Sequence, residues 1–193
     1  MTSRIEELEI KYGKVDWRVA MIIGLEVAQE KFCKFKDNFE AMEVGIRVGL
    51  AYLSNGVVSS PLEGFTNLKI NKTRDGKSYF SLMFSGPIRS AGTTITCGSI
   101  FVADYIRKKM GYFQYDPTED EIKRSMIEVY DFHERINNLQ YLPSEQEIDF
   151  MIRHLPVQID GDPSEKLDVS NYKDLSRIET NRLRNGFCLV VGE

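Results

Sequence analysis

The stretch Thr66–Phe101, TNLKINKTRDGKSYFSLMFSGPIRSAGTTITCGSIF, decides the fold class. Its first half alternates apolar and polar residues on either side of Asp75-Gly76, the dipeptide of a tight hairpin turn. On the first arm Leu68 and Ile70 fall on one face and Lys69 on the other. On the return arm Tyr79, Ser81 and Met83 alternate with Phe80, Leu82 and Phe84, so this strand is apolar on much of both faces and needs a helix to pack against. The second half passes through Gly86-Pro87 and a Ser/Gly/Thr turn into an apolar segment predicted as helix from about Gly92 to Met110, closed by Gly111.

Working outward, Asp16–Lys31 carries apolar residues at helical spacing behind an N-capping Asp16. The polar break KFCKFKDN separates it from a second helical stretch, Phe39–Ser54, which Asn55-Gly56 ends. That second stretch contains Gly45 and Gly49, each of which weakens a helix by about 1 kcal/mol relative to Ala. Close packing against another element is the expected reason for them. Downstream, Asp116-Pro117-Thr118-Glu119 reads as a helix start with Asp116 as N-cap, and Ile122, Met126, Val129, His133 and Ile136 fall on one face. Ser144–Glu147 repeats a capping box before a shorter helix ending near His154, and PVQID and GFCLVVG read as two further strands. The expectation is an α+β fold, a helical N-terminal part followed by a mostly antiparallel sheet with helices packed on it. Residues 1–56 form the helical segment and 57–193 the α+β domain, which is expected to be truncated at its C-terminal end because it stops directly after an apolar run.

Composition is that of an ordinary globular chain, 42% hydrophobic and 28% charged over 193 residues, with a net charge of -4. The charge is unevenly placed. Val44–Tyr115 holds nine Lys/Arg against three Asp/Glu, whereas Asp116–Tyr172 holds five against fourteen. Such a division suits one anion-facing surface and one solvent- or partner-facing surface, or charges that merely alternate between helices. Three widely spaced cysteines, Cys33, Cys97 and Cys188, form no CxxC pair, so neither a zinc ribbon nor a disulfide framework is indicated, and a reducing setting is expected. The apolar runs are too short for a membrane helix, and MTSRIEELEIKYG is too charged for a signal peptide.

The junction GPIRSAGTT carries the most chemistry. A helix N-terminus exposes unpaired N–H groups and a partial positive charge, Gly86 and Gly92 let the backbone approach a ligand, and Ser90, Thr93 and Thr94 offer hydroxyls. Arg89 can grip two phosphate oxygens at once. Neither a Walker loop nor a dinucleotide fingerprint is present. The same residues also suit an ordinary connector in which Ser90 caps the helix and Arg89 pairs with a carboxylate. In RIETNRLRNG, Arg182 and Arg184 lie two apart and share a face if extended, which suits a nucleic-acid backbone, or equally ion pairs with the upstream acidic segment. YIRKK complements a helix C-terminus, Asp160-Gly161-Asp162 reads as a turn rather than a metal site, and His133 and His154 read as structural. No catalytic or metal-ligating residue is assigned.

GLAYLSNGVVSSPLEGFTNLKI, FSGPIRSAGTT, DYIRKKMG, NNLQY and ETNRLRNG followed by LVVGE occur in the order and spacing of one family. They resemble the N-terminal region of the large subunit of archaeal family D DNA polymerase. The resemblance covers Val44–Glu193 and extends to Gly13–Ala41. It implies a heterodimeric replicative enzyme in which the large subunit polymerises and the small subunit carries a 3′–5′ exonuclease. It further implies magnesium for the whole polymerase and no cofactor in this chain. The implied partners are the small subunit, the remainder of the large subunit and DNA, with no membrane, in an archaeal cytoplasm beside the nucleoid. For this stretch the resemblance implies scaffold, subunit assembly and nucleic-acid-backbone contact. Three positions depart from the family pattern, with Thr93 where a second Gly is usual, Arg182 where His is usual and Asn185 where Gly is usual.

Overall fold

In the computed structural model, residues 1–54, 63–86 and 93–192 are described, apart from the side chains of Thr93 and Thr94. The elements in chain order are α1 (Thr2–Tyr12), α2 (Trp17–Ala28), α3 (Asn38–Leu53), β1 (Phe65–Lys72), β2 (Ser78–Phe84), α4 (Thr93–Lys109), α5 (Glu119–Arg135), α6 (Glu145–His154), β3 (Gln158–Gly161) and α7 (Asn185–Val191). This is the α+β arrangement read from the sequence, with its helical N-terminal part. The sheet order is β1-β2-β3, with β2 pairing antiparallel to β1 and parallel to β3. The hairpin is the longer ladder, running from Phe65 opposite Phe84 to Lys72 opposite Ser78 with one irregularity between Phe65 and Asn67. β2 is the central strand, and every residue from Tyr79 to Phe84 is buried, as its two-faced apolar pattern predicts.

The hairpin turn is longer than the two-residue loop expected. Gly76 N donates to Thr73 O (2.9 Å), Thr73 N donates to Lys77 O (2.7 Å), and Gly76 takes φ +81. That is a turn followed by a left-handed glycine, the pattern of a three-residue loop. Asp16 caps α2 by accepting from Arg18 N, and Asp37 caps α3 by accepting from Glu40 N. The start of α5 lies two residues beyond the expected one. Thr118, not Asp116, is the N-cap, in a reciprocal box with Glu121. Ser144 and Glu147 form the second box, as expected. A larger correction concerns GFCLVVG, which is not a strand but most of α7, where Gly186–Val191 are all buried. A continuous apolar run suits a fully buried helix as well as a buried strand, and periodicity alone does not separate them.

The glycines of α3 are there for close packing. A Cβ on Gly45 would lie 2.5 Å from Gly24 O on α2, and one on Gly49 would lie 2.8 Å from Val102 Cγ1 on α4. Helices α2 and α3 are therefore seated directly on α4. One buried cluster joins Ala20, Met42, Ile46 and Leu50 of these helices to Phe80, Phe84, Val102, Ile122 and Val190.

Candidate nucleic-acid interface

The end of β2 meets the start of α7. Gly186 lies so close to Phe84 that a Cβ would collide with the Phe84 carbonyl, and Gly86 faces Asn185, with an ideal Cβ 3.8 Å from Asn185 Cβ. Gly86, Phe132, Ile136, Glu165, Asn185 and Leu189 are among the residues lining a cavity of about 330 Å³. Asn185 Nδ2 donates to Glu165 Oε1 (2.7 Å) and Asn185 N donates to Ser164 Oγ (2.8 Å), while among the described residues the buried Asn185 Oδ1 has no hydrogen-bond partner. Two regions singled out in the sequence, Gly86 and Arg184–Gly186, are thus neighbours. Arg89, Ser90 and Gly92 lie outside the described residues. Thr93 and Thr94 open α4, and their side chains lie outside the described set.

Arg182 and Arg184 do not share a face. Arg182 is exposed. Arg184 is 1% exposed and is the N-cap residue of α7, with a backbone at φ -109, ψ 94. Its Nη2 donates to Glu128 Oε2 (2.6 Å), its Nη1 to Asp160 Oδ1 (2.6 Å) and its backbone N to Glu128 Oε1 (2.8 Å), while the guanidinium covers the Phe187 ring at 4.3 Å. Burial alone would lower its pKa, but the two carboxylates overcome that and raise it. Arg184 is therefore corrected from a phosphate contact to a structural ion-pair partner, because two carboxylates occupy its donors and no solvent reaches it.

The same arrangement extends along the inner polar face of α5. Arg124, fully buried, bonds Glu128 (3.0 Å) and the carbonyls of Tyr172 (3.1 Å) and Thr180 (3.0 Å). Burial lowers its pKa against the pull of Glu128. Asp131 accepts from Ser170 N (2.7 Å) and Ser170 Oγ (2.6 Å). Arg177 bridges Asp116 (2.5 Å) and Glu121 (2.5 Å), and these hydrogen bonds raise its pKa although burial opposes them. Behind Arg177, Tyr79 donates to Gln158 Oε1 (3.0 Å), and burial pushes its phenol up to about 12. Sequence reading missed Arg124, Glu128, Asp131 and Arg177. The available signal was a second helical stripe, Glu121, Arg124, Glu128 and Asp131, at three- and four-residue spacing.

The remaining candidates fall as follows. Asp160 lies in β3 as the partner of Arg184, and Asp162 is exposed. His133 Nδ1 accepts from Leu139 N (3.0 Å), and His154 Nδ1 lies 2.6 Å from Phe150 O. Among the described residues no group of three His, Cys, Asp or Glu is placed to hold a metal ion, and no helix is long and apolar enough to cross a membrane.

The sequence matches, over residues 1–193, the family described as DNA polymerase II large subunit DP2, N-terminal. The chain belongs to this family. Among similar proteins, the DNA polymerase II large subunit of Nanoarchaeum equitans is 46% identical over 189 residues, covering 98% of this chain and 15% of that protein. That of Methanosarcina barkeri is 39% identical over 193 residues, covering 100% and 17%. That of Thermoplasma acidophilum is 43% identical over 172 residues, covering 89% and 16%. This DP2 N-terminal chain therefore spans about one sixth of the length of those relatives.

Proposed function

We propose that the chain is the N-terminal portion of the large subunit of a heterodimeric archaeal replicative polymerase of the family D type. In this reading it does not join nucleotides itself. It serves as scaffold, as an assembly surface and as a contact for the nucleic-acid backbone. Nucleotide transfer and its magnesium belong to the rest of the large subunit, and 3′–5′ exonuclease activity belongs to the small subunit. One observation carries the scaffold role. Arg124, Arg177 and Arg184 bind the segment from Asp160 to Arg184 to α5 through carboxylates and carbonyls, so the charges of α5 fix one arrangement rather than meeting a substrate. The backbone-contact role is assigned to Gly86, Arg89, Ser90, Gly92, Thr93 and Thr94, with exposed Arg182 as the outlying cation. Such contacts position DNA without reading its sequence.

The test uses the assembled enzyme on primer-template DNA. Arg89→Ala is expected to weaken binding and to make the salt dependence shallower by about one phosphate contact, a slope change of about 0.9. Unchanged affinity and slope refute the phosphate role of Arg89. A second reading makes the acidic helices α5 and α6 the docking surface for the small subunit, favoured by exposed Phe150 and Tyr141 among acidic side chains. It predicts co-migration of this chain with the small subunit on sizing, lost in Phe150→Asp.

A further inference from the structure

A second surface lies on the opposite part of the sequence, where α2 and α4 pack side by side. Trp17 of α2 meets Phe101 of α4 edge to face at 5.6 Å between ring centroids, yet Trp17 is 39% and Phe101 59% exposed. One helical turn further along both helices, Met21 and Tyr105 line a groove of about 190 Å³ together with Arg18, Ile22 and Tyr12 of α1. Phe101 and Tyr105 are four apart on α4, as are Trp17 and Met21 on α2, so the exposed aromatic pair and the groove form one continuous track along the seam.

Cations flank that track on aromatic faces. Arg18 lies 4.7 Å and Lys11 5.0 Å from the centre of the Tyr12 ring, and Lys109 lies 5.8 Å from that of Tyr105. The nearby carboxylates are engaged, Asp16 by Arg18, Asp104 by Arg107 and Lys108, and Glu9 by the Tyr52 hydroxyl. Lys11, Lys14 and Lys109 are exposed and, among the described residues, join no ion pair. Rings that present a face or edge to solvent, spaced along a seam and bordered by uncommitted ammonium groups, match what a single strand of nucleic acid needs, namely stacking for bases and positive charge for phosphates. The excess of positive charge favours this occupant over a protein helix, for which the rings alone would serve.

We propose that the α2–α4 seam binds single-stranded DNA, with bases stacking on Trp17, Phe101 and Tyr105 and phosphates meeting Lys11 and Lys109. The proposal rests on the reading of this chain as a DNA-contacting part of a polymerase, and adds a single-strand site distinct from the Gly86 junction.

Trp17 is the sole tryptophan, so its emission reports the seam directly. Titration of the 193-residue chain with oligothymidylate is expected to quench that emission, with salt dependence falling as about 0.7 per phosphate neutralised. Phe101→Ala, at an exposed position, is expected to weaken binding about fivefold or more, and Lys109→Glu to make the salt slope shallower. Binding seen by anisotropy of a labelled oligonucleotide, without quenching and indifferent to both variants, overturns the seam. If Arg89→Ala then abolishes that binding, the junction reading stands alone; if no variant matters and no binding is seen, both fall. A change in Trp17 emission on adding the small subunit but not oligothymidylate also overturns the proposal, and makes the seam a protein contact.

Discussion

Replacing Arg184 by Met tests whether α5 and the C-terminal helix are held together by charge. Methionine keeps the length of the stem and its contact with the Phe187 ring but removes the guanidinium. Glu128 then retains Arg124 at 3.0 Å, whereas Asp160 retains, among the described residues, only the Gly161 amide at 2.8 Å. Both carboxylates remain buried, Glu128 fully and Asp160 at 4% exposure. Removing one partner of such a buried pair costs about 3–5 kcal/mol, because the charge left behind has lost water and gained nothing. Against a typical total of about 5–15 kcal/mol, that is about a fifth or more of the stability. At about 2–4 °C per kcal/mol for a chain of this size, Tm should fall by about 6–20 °C.

Urea unfolding followed by circular dichroism measures the loss, and a second substitution identifies its cause. Asp160→Asn should destabilise the parent, where Arg184 loses a carboxylate, but should stabilise Arg184→Met, where it removes an unpaired buried charge. The two effects therefore have opposite sign, a coupling that a double-mutant cycle isolates. A loss under about 1 kcal/mol for Arg184→Met, or additive effects of the two substitutions, would falsify the view that this ion pair binds the C-terminal helix to α5.

Four further outcomes are expected. Thr118→Ala removes one half of the α5 capping box and should cost about 1 kcal/mol, read as a shift in urea midpoint without a change in slope. Gly45→Ala sets a methyl against the Gly24 carbonyl and should cost about 1–3 kcal/mol, and an unchanged midpoint contradicts the close α2–α3 contact. Burial raises the thiol pKa of half-buried Cys97 and of buried Cys188, whereas Cys33 is exposed, so a thiol reagent near neutral pH should label Cys33 promptly, Cys97 slowly and Cys188 only on unfolding. Burial acts to raise the Asp116 pKa, but hydrogen bonds from Arg74 and Arg177 lower it below the usual value. The unfolded chain then binds the proton more readily, so this contribution is intact above about pH 4 and disappears as pH falls further. Asp116→Asn should make the acid loss of Tm shallower, and an identical acid profile contradicts the Arg177–Asp116 tie.

Much of the fold is legible because local signals and tertiary demands agree. Asp75-Gly76 lies between alternating strands, Ser144 and Glu147 form a capping box, and the two-faced apolar pattern of Tyr79–Phe84 belongs to the central strand. Signals that admit two local answers do not resolve in the same way. Asp116 and Thr118 both stand ahead of an acidic residue three positions on, and Thr118 wins because Asp116 is held instead by Arg74 and Arg177. Arg182 and Arg184 look alike in sequence, but Leu183 and Arg184 are buried in succession, so the chain has already left strand alternation before α7 begins.

The inner face of α5 shows why such partnerships escape a local reading. Charges four apart on a helix ordinarily face water, and Glu121, Arg124, Glu128 and Asp131 have that spacing. Here the segment ending at Arg184 lies over them. The partner carboxylates of Arg184 are 24 and 56 positions away in the chain, and one carbonyl that receives Arg124 is 56 positions away. No window short enough to show helical periodicity contains both ends of these contacts. The acid-rich composition of Asp116–Tyr172 suggests an outward surface, yet Asp116, Glu121, Glu128, Asp131 and Asp160 all engage arginine or serine from other elements. A net charge along the sequence thus overstates the field this part of the molecule presents to DNA, because charges neutralised within the fold contribute little outside it. Lys11 and Lys14 at the α2–α4 seam belong to residues 1–43, where seven Lys/Arg stand against nine Asp/Glu, and there the opposite error arises: a nearly balanced composition conceals a face where Asp16 is paired while, among the described residues, Lys11 and Lys14 join no ion pair.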